Sequence, residues 1–332
     1  MERTNEMKRN TLSILAVALL AAVFVGCSDD ELTPKVDTAN EYEARLLQRS
    51  TDTPADSTVY SWYQKYGSAF VYDFTDAEFH WQWASQITDD YVAFDMTNDE
   101  DKAKYQDFVK KIDEGFMQCF SDERLKTTLP YRIFLCKRLN PTASSISDKD
   151  TIATTNSQDA IIVAYEGVSG QTYSASDIGN SMTKAFALFF YSKLTVAPTE
   201  FIESRTECKY SLVTTPADDK VSAEFTTTKH ISSDSSTPAY KNHEANVCGY
   251  IRGYLFTYVK QPTEEQDFAD YFAFLACNSS AYIRKYCQTY WRIAKRATIF
   301  MNYWKENMGE DLMETHNQKY PNDPLTARDF KY

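Results

Sequence analysis

The residues with the chemistry to act on a substrate are few and scattered. The histidines are His80, His230, His243 and His316. The most suggestive run is His243-Glu244-Ala245-Asn246-Val247. A zinc peptidase helix needs histidines at i and i+4 so that both imidazoles face one ion, with a glutamate at i+1 to deprotonate the bound water. Here i+4 is Val247, which has no lone pair. His243 therefore makes a zinc site only if a distant ligand such as His230 joins it. The chain has no glycine-rich phosphate loop, no GxSxG nucleophile turn and no CxxC pair. Of seven cysteines, Cys27 stands apart near the start. The other six, Cys119, Cys136, Cys208, Cys248, Cys277 and Cys287, allow fifteen pairings, and spacing selects none. One or two disulfides at most are expected, with the rest as small buried hydrophobes.

Lys8-Arg9 precede an apolar run from Leu12 to Val25, followed by Gly26-Cys27. The run is too short for a stable membrane span and carries the charged flank of a secretory signal, whether translation begins at Met1 or Met7. Phe24-Val25-Gly26-Cys27 resembles a bacterial lipobox, with Phe24 where Leu is commoner; ordinary cleavage near Ala21 or Ala22 is the alternative. Lipidation is therefore expected at Cys27, giving an anchored chain rather than a spanning one. Ser28-Asp29-Asp30-Glu31 resembles the acidic tag that sends Bacteroidota lipoproteins to the outer face of the outer membrane. The expected organisation is a signal peptide at 1–26, an acidic flexible tether at 27–57 and one domain at 58–332. The formal net charge is −12. Such acidity argues against nucleic acid as a partner, since that needs a basic face to displace counterions.

The tether is polar, contains Pro34 and Pro54, and has room for a short helix at 39–48. Val59, Trp62, Tyr63 and Tyr66 then lie at helical spacing and Gly67 closes that helix. Residues 70–74, 131–136 and 160–165 are apolar, aromatic or β-branched runs that predict strands. Residues 99–120 predict a helix with Tyr105, Phe108, Val109, Ile112, Phe116 and Cys119 inward. Residues 140–158 are rich in Ser, Thr and Asp and predict a loop. At the centre stands Ser181 to Lys193, a helix with little polar circumference that must cross the core. Residues 209–241 predict a surface excursion, with a hairpin as its only structure. A helix is expected from Glu264 and a long one from about Ala281 to Asn307. Arg284, Lys285, Arg292, Lys295 and Arg296 on the latter predict a solvated basic face.

The layout resembles the zinc metallopeptidase lipoproteins of Bacteroidota, which accompany starch-uptake-type import systems and are distantly similar to gluzincin peptidases. Matching pieces are Trp62 with Tyr66, residues 70–74, Leu129-Pro130-Tyr131-Arg132-Ile133, Ile161-Ile162-Val163, and Pro198-Thr199-Glu200-Phe201 with Tyr210. Further on come Gly253-Tyr254, Tyr258, residues 266–270, Tyr303-Trp304 and Asp311-Leu312. The order of these pieces covers nearly all of the chain after the tether. The resemblance implies a helix-rich, gluzincin-like α+β fold with a small sheet. It sets the family's HEFAH motif on Lys184-Ala185-Phe186-Ala187-Leu188. Lys184 and Leu188 stand in place of two ligands, Ala185 in place of the general base, and Gln266 in place of the third ligand. Tyr258 and Asp270 remain as the oxyanion tyrosine and the carboxylate behind the ligands; plain structural roles are the alternative for both.

A zinc site needs three protein ligands and a water, and every one of these ligand positions is substituted. The expected protein is a non-catalytic homologue with no cofactor, a lipid-anchored accessory component of glycan or peptide import, beside a TonB-dependent transporter. Two alternatives remain. One is an active zinc hydrolase using His243. The other is a glycan-binding accessory protein using exposed aromatics such as Trp81 and Trp83.

Overall fold

The computed structural model describes residues 38–80, 90–140, 151–155, 159–206, 245–252, 254–256 and 258–331. The chain divides into two units, residues 1–45 and 46–332. In the first, Arg45 pairs with Glu41 one turn away at 3.2 Å. These residues belong to α1 (Thr38–Arg49), the short helix expected within the tether. The second unit opens with the last residues of α1. Leu46 is buried, and Arg49 is buried against Asp56 and Asp73 while donating to the Phe70 carbonyl at 3.3 Å. The following helix, α2 (Pro54–Tyr66), starts earlier than its apolar pattern implied. Thr53 caps it by accepting from the Asp56 amide, and Pro54 occupies a first-turn position where no amide hydrogen is needed. Gly67, at φ 74°, closes it in the left-handed region that a Cβ disfavours.

A mixed sheet follows. β1 (Ala69–Val71), β3 (Arg132–Asn140) and β5 (Ala160–Glu166) are parallel, with β3 between the other two. β2 (Asp90–Val92) pairs antiparallel with the far end of β3, and β4 (Ala153–Thr155) antiparallel with β5. All of β5 is buried, which explains why its sequence reads as an unbroken apolar run rather than an alternation. β4 falls inside the segment expected to be a loop. Its Ala-Thr-Thr is polar because it is an outer, half-exposed strand, so hydrophobic pattern gave no signal. β2 is short and edge-placed and was missed for the same reason. A further hairpin, β6 (Tyr254–Phe256) and β7 (Tyr258–Lys260), occupies the approach to Pro262. The hairpin expected in residues 209–241 lies outside the described residues.

Helices make up most of the rest, so the fold is a helix-rich α+β arrangement with a small sheet, as expected. α3 (Asp76–Phe79) follows β1. α4 (Asp99–Gly115) is shorter than expected, giving way to a 3-10 turn at Met117–Cys119, and α5 (Asp122–Thr128) precedes β3. α6 (Ala175–Tyr191) is the central helix, begun by a capping box between Ser174 and Asp177. Ile178, Met182, Ala185, Phe186, Phe189 and Phe190 are buried. α6 touches α4, β4 and β5, and packs along α8 (Glu264–Cys277). α7 (Thr199–Glu203) lies between these two in sequence. α8 is buried at every residue from Asp267 to Cys277. Rings knit the helices together: Phe186 meets Phe116, Phe120, Phe190 and Phe272, and Phe272 stacks on Trp304 at 4.4 Å between centroids.

The long helix expected at 281–307 is two: α9 (Ser280–Thr289) and α10 (Trp291–Met308). Tyr290 between them is extended at φ −124°, ψ 97°, and buried. No glycine or proline marks the break, and the apolar spacing runs on through it, so periodicity alone could not place it. The expected basic face is also corrected. Lys285 and Lys295 are exposed, but Arg284 pairs with Asp323 and Asp329, and Arg296 is buried. α11 (Leu312–Lys319) and a 3-10 turn at Ala327–Phe330 close the chain. Among the described residues no helix is long and apolar enough to cross a membrane. Cys119, Cys136, Cys248, Cys277 and Cys287 are buried thiols; Cys208 lies outside the described residues.

Candidate functional site

α6 and α8 lie side by side, and their facing polar residues form the floor of a cleft of about 680 Å³. Lys184 on α6 places Nζ 2.7 Å from Oδ1 of Asp270 on α8. Asp270 is 2 % exposed, while the Lys184 side chain is partly open to the cleft. Arg252 approaches the same carboxylate oxygen at 3.8 Å through Nε. A carboxylate this buried needs a cation, since burial without one would cost several kcal/mol. Helix geometry explains why Lys184 can reach it: Met182, Ala185 and Phe186 turn to the core, leaving Lys184 on the flank that meets α8.

The remaining positions implied by the resemblance are also accounted for. Ala185 is buried beneath the floor. Leu188, one turn on from Lys184, is half-buried. Gln266 is the third residue of α8 and completes its capping box: its side-chain oxygen accepts from the Thr263 amide at 3.0 Å, and its own amide donates to Thr263 Oγ1. Glutamine serves this cap as well as glutamate. The structure thus brings Lys184 and Asp270 together and leaves Gln266 in a local structural role. The side chain of Tyr258, His230, His243, Trp81, Trp83 and Cys27 lie outside the described residues.

These residues do not fit zinc. A protonated lysine has no lone pair to give, alanine and leucine have no donor atom, and the Gln266 oxygen is already engaged by a backbone amide. Among the described residues no group of three His, Cys, Asp or Glu side chains is placed to hold a metal. His316 is buried. Its Nδ1 lies 3.1 Å from the Leu275 carbonyl and its Nε2 2.9 Å from Ser280 Oγ, so Nδ1 donates and Nε2 accepts in a neutral ring. Burial lowers its pKa to about 4. His80 sits at the end of α3 beside Asp76.

The wall of the cleft carries features that sequence reasoning did not single out. Tyr282 and Tyr286, one turn apart on α9, place their rings 4.6 Å apart at 33°. Tyr282 is 40 % exposed, whereas Phe274 lies behind the pair, 6.2 and 5.9 Å from their centroids. The charged lining consists of Lys184, Arg252 and Lys319 with Glu114, Asp177 and Asp270, so the signs balance. No run or spacing in the chain announces this set, which comes from five separate stretches.

A second polar centre lies in the core beside the cleft. Arg296 on α10 is 1 % exposed. It clasps Asp267 with Nη1 at 3.1 Å and Nη2 at 2.6 Å, and donates to the Gly249 carbonyl at 2.7 Å, Ser204 Oγ at 3.1 Å and the Phe201 carbonyl at 3.5 Å. The guanidinium also lies over the rings of Phe201, Tyr250 and Tyr271. All its donors are used, which marks it as an architectural anchor rather than a reactive group.

No protein-family model matches the chain. No curated protein is significantly similar to it. Among solved structures, the chain is similar to a crystal structure of a candidate zinc-binding metallo-peptidase from Bacteroides caccae, with 13 % identity, covering 87 % of this chain and 93 % of that one, at a TM-score of 0.46.

Proposed function

We propose that this chain is a surface-exposed, lipid-anchored, non-catalytic relative of the zinc metallopeptidases, serving as a binding component of a nutrient import system. The observation that carries this reading is the Lys184–Asp270 ion pair at 2.7 Å. An ammonium stands where the resemblance expects a metal ligand, held by the carboxylate expected to support one. The cleft persists around it.

Its lining favours an uncharged, polyhydroxylated ligand, an oligosaccharide. The balance of charges offers paired hydrogen-bond donors and acceptors without a net field, and the exposed Tyr282 ring supplies a flat apolar face for a pyranose. Cys27 supplies the anchor, and transfer from membrane to soluble fraction on Cys27→Ser substitution tests that part. The binding reading is tested by calorimetric titration of the purified chain with neutral malto-, xylo- and manno-oligosaccharides, with an alanine peptide and polygalacturonate as contrasts. Tyr282→Ala is expected to weaken the best oligosaccharide about tenfold, or about 1.4 kcal/mol. Preference for the peptide, or indifference to Tyr282→Ala, would remove the oligosaccharide reading. Elemental analysis after zinc loading and desalting tests the non-catalytic part. Zinc near one per chain together with peptide cleavage would replace it with an active hydrolase using His243.

A further inference from the structure

A lysine and a cysteine meet at the rim of the cleft. α11 packs against α8 and against the 3-10 turn at Met117–Cys119. Lys319, the last residue of α11, points Nζ at Cys119 Sγ from 2.9 Å and donates to the Glu114 carbonyl, also at 2.9 Å. Cys119 Sγ lies 2.9 Å from the Gly115 carbonyl, one turn back along the chain. The thiol itself is buried. Glu114, Gly115 and Lys319, the residues its sulfur touches or nearly touches, all line the cleft, so the sulfur stands directly behind the cleft surface. Lysine has a flexible four-carbon stem, and a change of its rotamer opens the sulfur to a molecule little larger than water.

This pairing sets Cys119 apart from other buried thiols. Burial pushes Cys136 up, and pushes Cys287 up to about 12, with no cation opposing it. Cys277 is bonded to Thr183 Oγ1 at 2.9 Å and pushed well up by burial, so it stays a protonated thiol. Beside an ammonium a thiol ionises more readily, and the thiolate is the reactive form. The lysine is tuned in turn. Burial pulls Lys319 toward the neutral amine, and the Cys119 sulfur leads the contacts that outweigh it, so its pKa stands above the ordinary value. That support ends once the sulfur carries no negative charge. Burial then favours the amine, a nucleophile 2.9 Å from the sulfur.

We infer that Cys119 and Lys319 are an oxidative crosslinking site that closes to a sulfenamide, Sγ–Nζ, on reaction with hydrogen peroxide. The Cys119 thiolate attacks one peroxide oxygen. The S–O bond forms, the O–O bond breaks, and the departing hydroxide takes a proton from the Lys319 ammonium to become water. The Lys319 amine then attacks the sulfur of the sulfenic acid. The S–N bond forms, the S–O bond breaks, and the second hydroxide takes a proton from the new nitrogen centre to become water. The sulfur loses two electrons and the peroxide gains them. Nζ already lies within the range of about 3–3.5 Å from which such attacks proceed. The bond ties α11 to the turn after α4 and removes one positive charge from the cleft lining.

The full purified chain is treated with hydrogen peroxide, alkylated, and mapped by mass spectrometry without reduction. The expected product is a crosslink between the peptides carrying Cys119 and Lys319, about 2 Da lighter than their sum through the loss of two hydrogens. Dithiothreitol is expected to reverse it and Cys119→Ser to abolish it. Lys319→Arg keeps a cation beside the sulfur but removes the nucleophile, since the guanidinium stays charged. With its fold checked by circular dichroism, this variant is expected to lose the crosslink and to accumulate Cys119 sulfenic acid, trapped as its dimedone adduct. In the unsubstituted chain, Cys119 left unoxidised, Cys119 found only as sulfinic or sulfonic acid, or a disulfide from Cys119 to another cysteine would overturn the inference. A Cys119–Lys319 crosslink that keeps a peroxide oxygen, about 14 Da heavier than the sum of its peptides, would overturn it too, as would an equal crosslink yield in Lys319→Arg. None of these outcomes depends on what the cleft binds or where the protein resides.

Discussion

Arg296→Met is the most informative substitution in the core. Methionine keeps much of the stem but removes the guanidinium that lies over Phe201, Tyr250 and Tyr271, so charge, donors and the cation–π contacts go together. What it strands can be followed atom by atom. Asp267, buried on α8, loses both forks of the guanidinium and keeps only Arg205, whose Nε is 3.4 Å away. Ser204 Oγ and the Phe201 carbonyl each lose a donor. The Gly249 carbonyl fares better, because the Tyr271 hydroxyl still donates to it at 2.7 Å. Removing one partner of a buried pair costs about 3–5 kcal/mol, mostly from the charge left behind. With a urea dependence of about 3 kcal/mol per molar, the unfolding midpoint falls by at least about 1 M. The companion measurements are Asp267→Leu and the double variant. The second substitution should cost far less than it does alone, giving a coupling above about 2 kcal/mol. A loss below about 1 kcal/mol in Arg296→Met, or additive losses in the cycle, would refute the view that this pair is a mutually dependent buried unit.

Three further outcomes follow from the same structure. Gly179→Ala improves helix propensity and would ordinarily stabilise an exposed helix by about 0.5–1 kcal/mol. Here its Cβ meets the Gly115 oxygen at 2.1 Å, so a loss above about 2 kcal/mol is expected in thermal or urea unfolding. His316 has its pKa lowered to about 4 by burial, so its contribution is complete above the unfolded value near 6.5 and is lost as pH falls from there toward 4. Between pH 7 and pH 5 it should account for a loss on the order of 2 kcal/mol; His316→Gln should show a stability profile flatter by that amount, and identical slopes would count against it. Gln266→Glu preserves the α8 capping box and should change stability by less than about 1 kcal/mol without conferring zinc binding, whereas Thr263→Ala should cost about 1 kcal/mol.

The main helices and the three parallel strands were legible because each buries a continuous apolar face, which periodicity and composition report directly. What escaped were elements held by geometry. β2 and β4 are short outer strands whose residues carry no apolar alternation. The break at Tyr290 leaves helical spacing intact on both sides and is set by backbone angles that no residue type there demands. Among site residues, Lys184 and Asp270 were identified as positions but not as partners, because their meeting depends on how α6 lies along α8. Arg296 was misread as a solvated charge. Its neighbours Lys295 and Arg292 look the same in sequence, and only the Asp267 carboxylate, two helices earlier, distinguishes it. Tyr282 and Tyr286 were not singled out, since an i, i+4 pair of tyrosines has the same pattern whether its outer face meets a neighbour or solvent.

α8 is apolar almost all round its circumference, and a greasy cylinder inside a greasy sheath has no preferred angle. Asp267 and Asp270 remove that freedom. They sit three residues apart and are claimed by different neighbours, one by Arg296 on α10 and the other by Lys184 on α6. Rotating or sliding the cylinder by a turn would drive a carboxylate into phenylalanine rings, so the two acids act as a key with two teeth. Removing either neighbour would leave a buried carboxylate short of its nearest cation, which couples α6, α8 and α10 energetically.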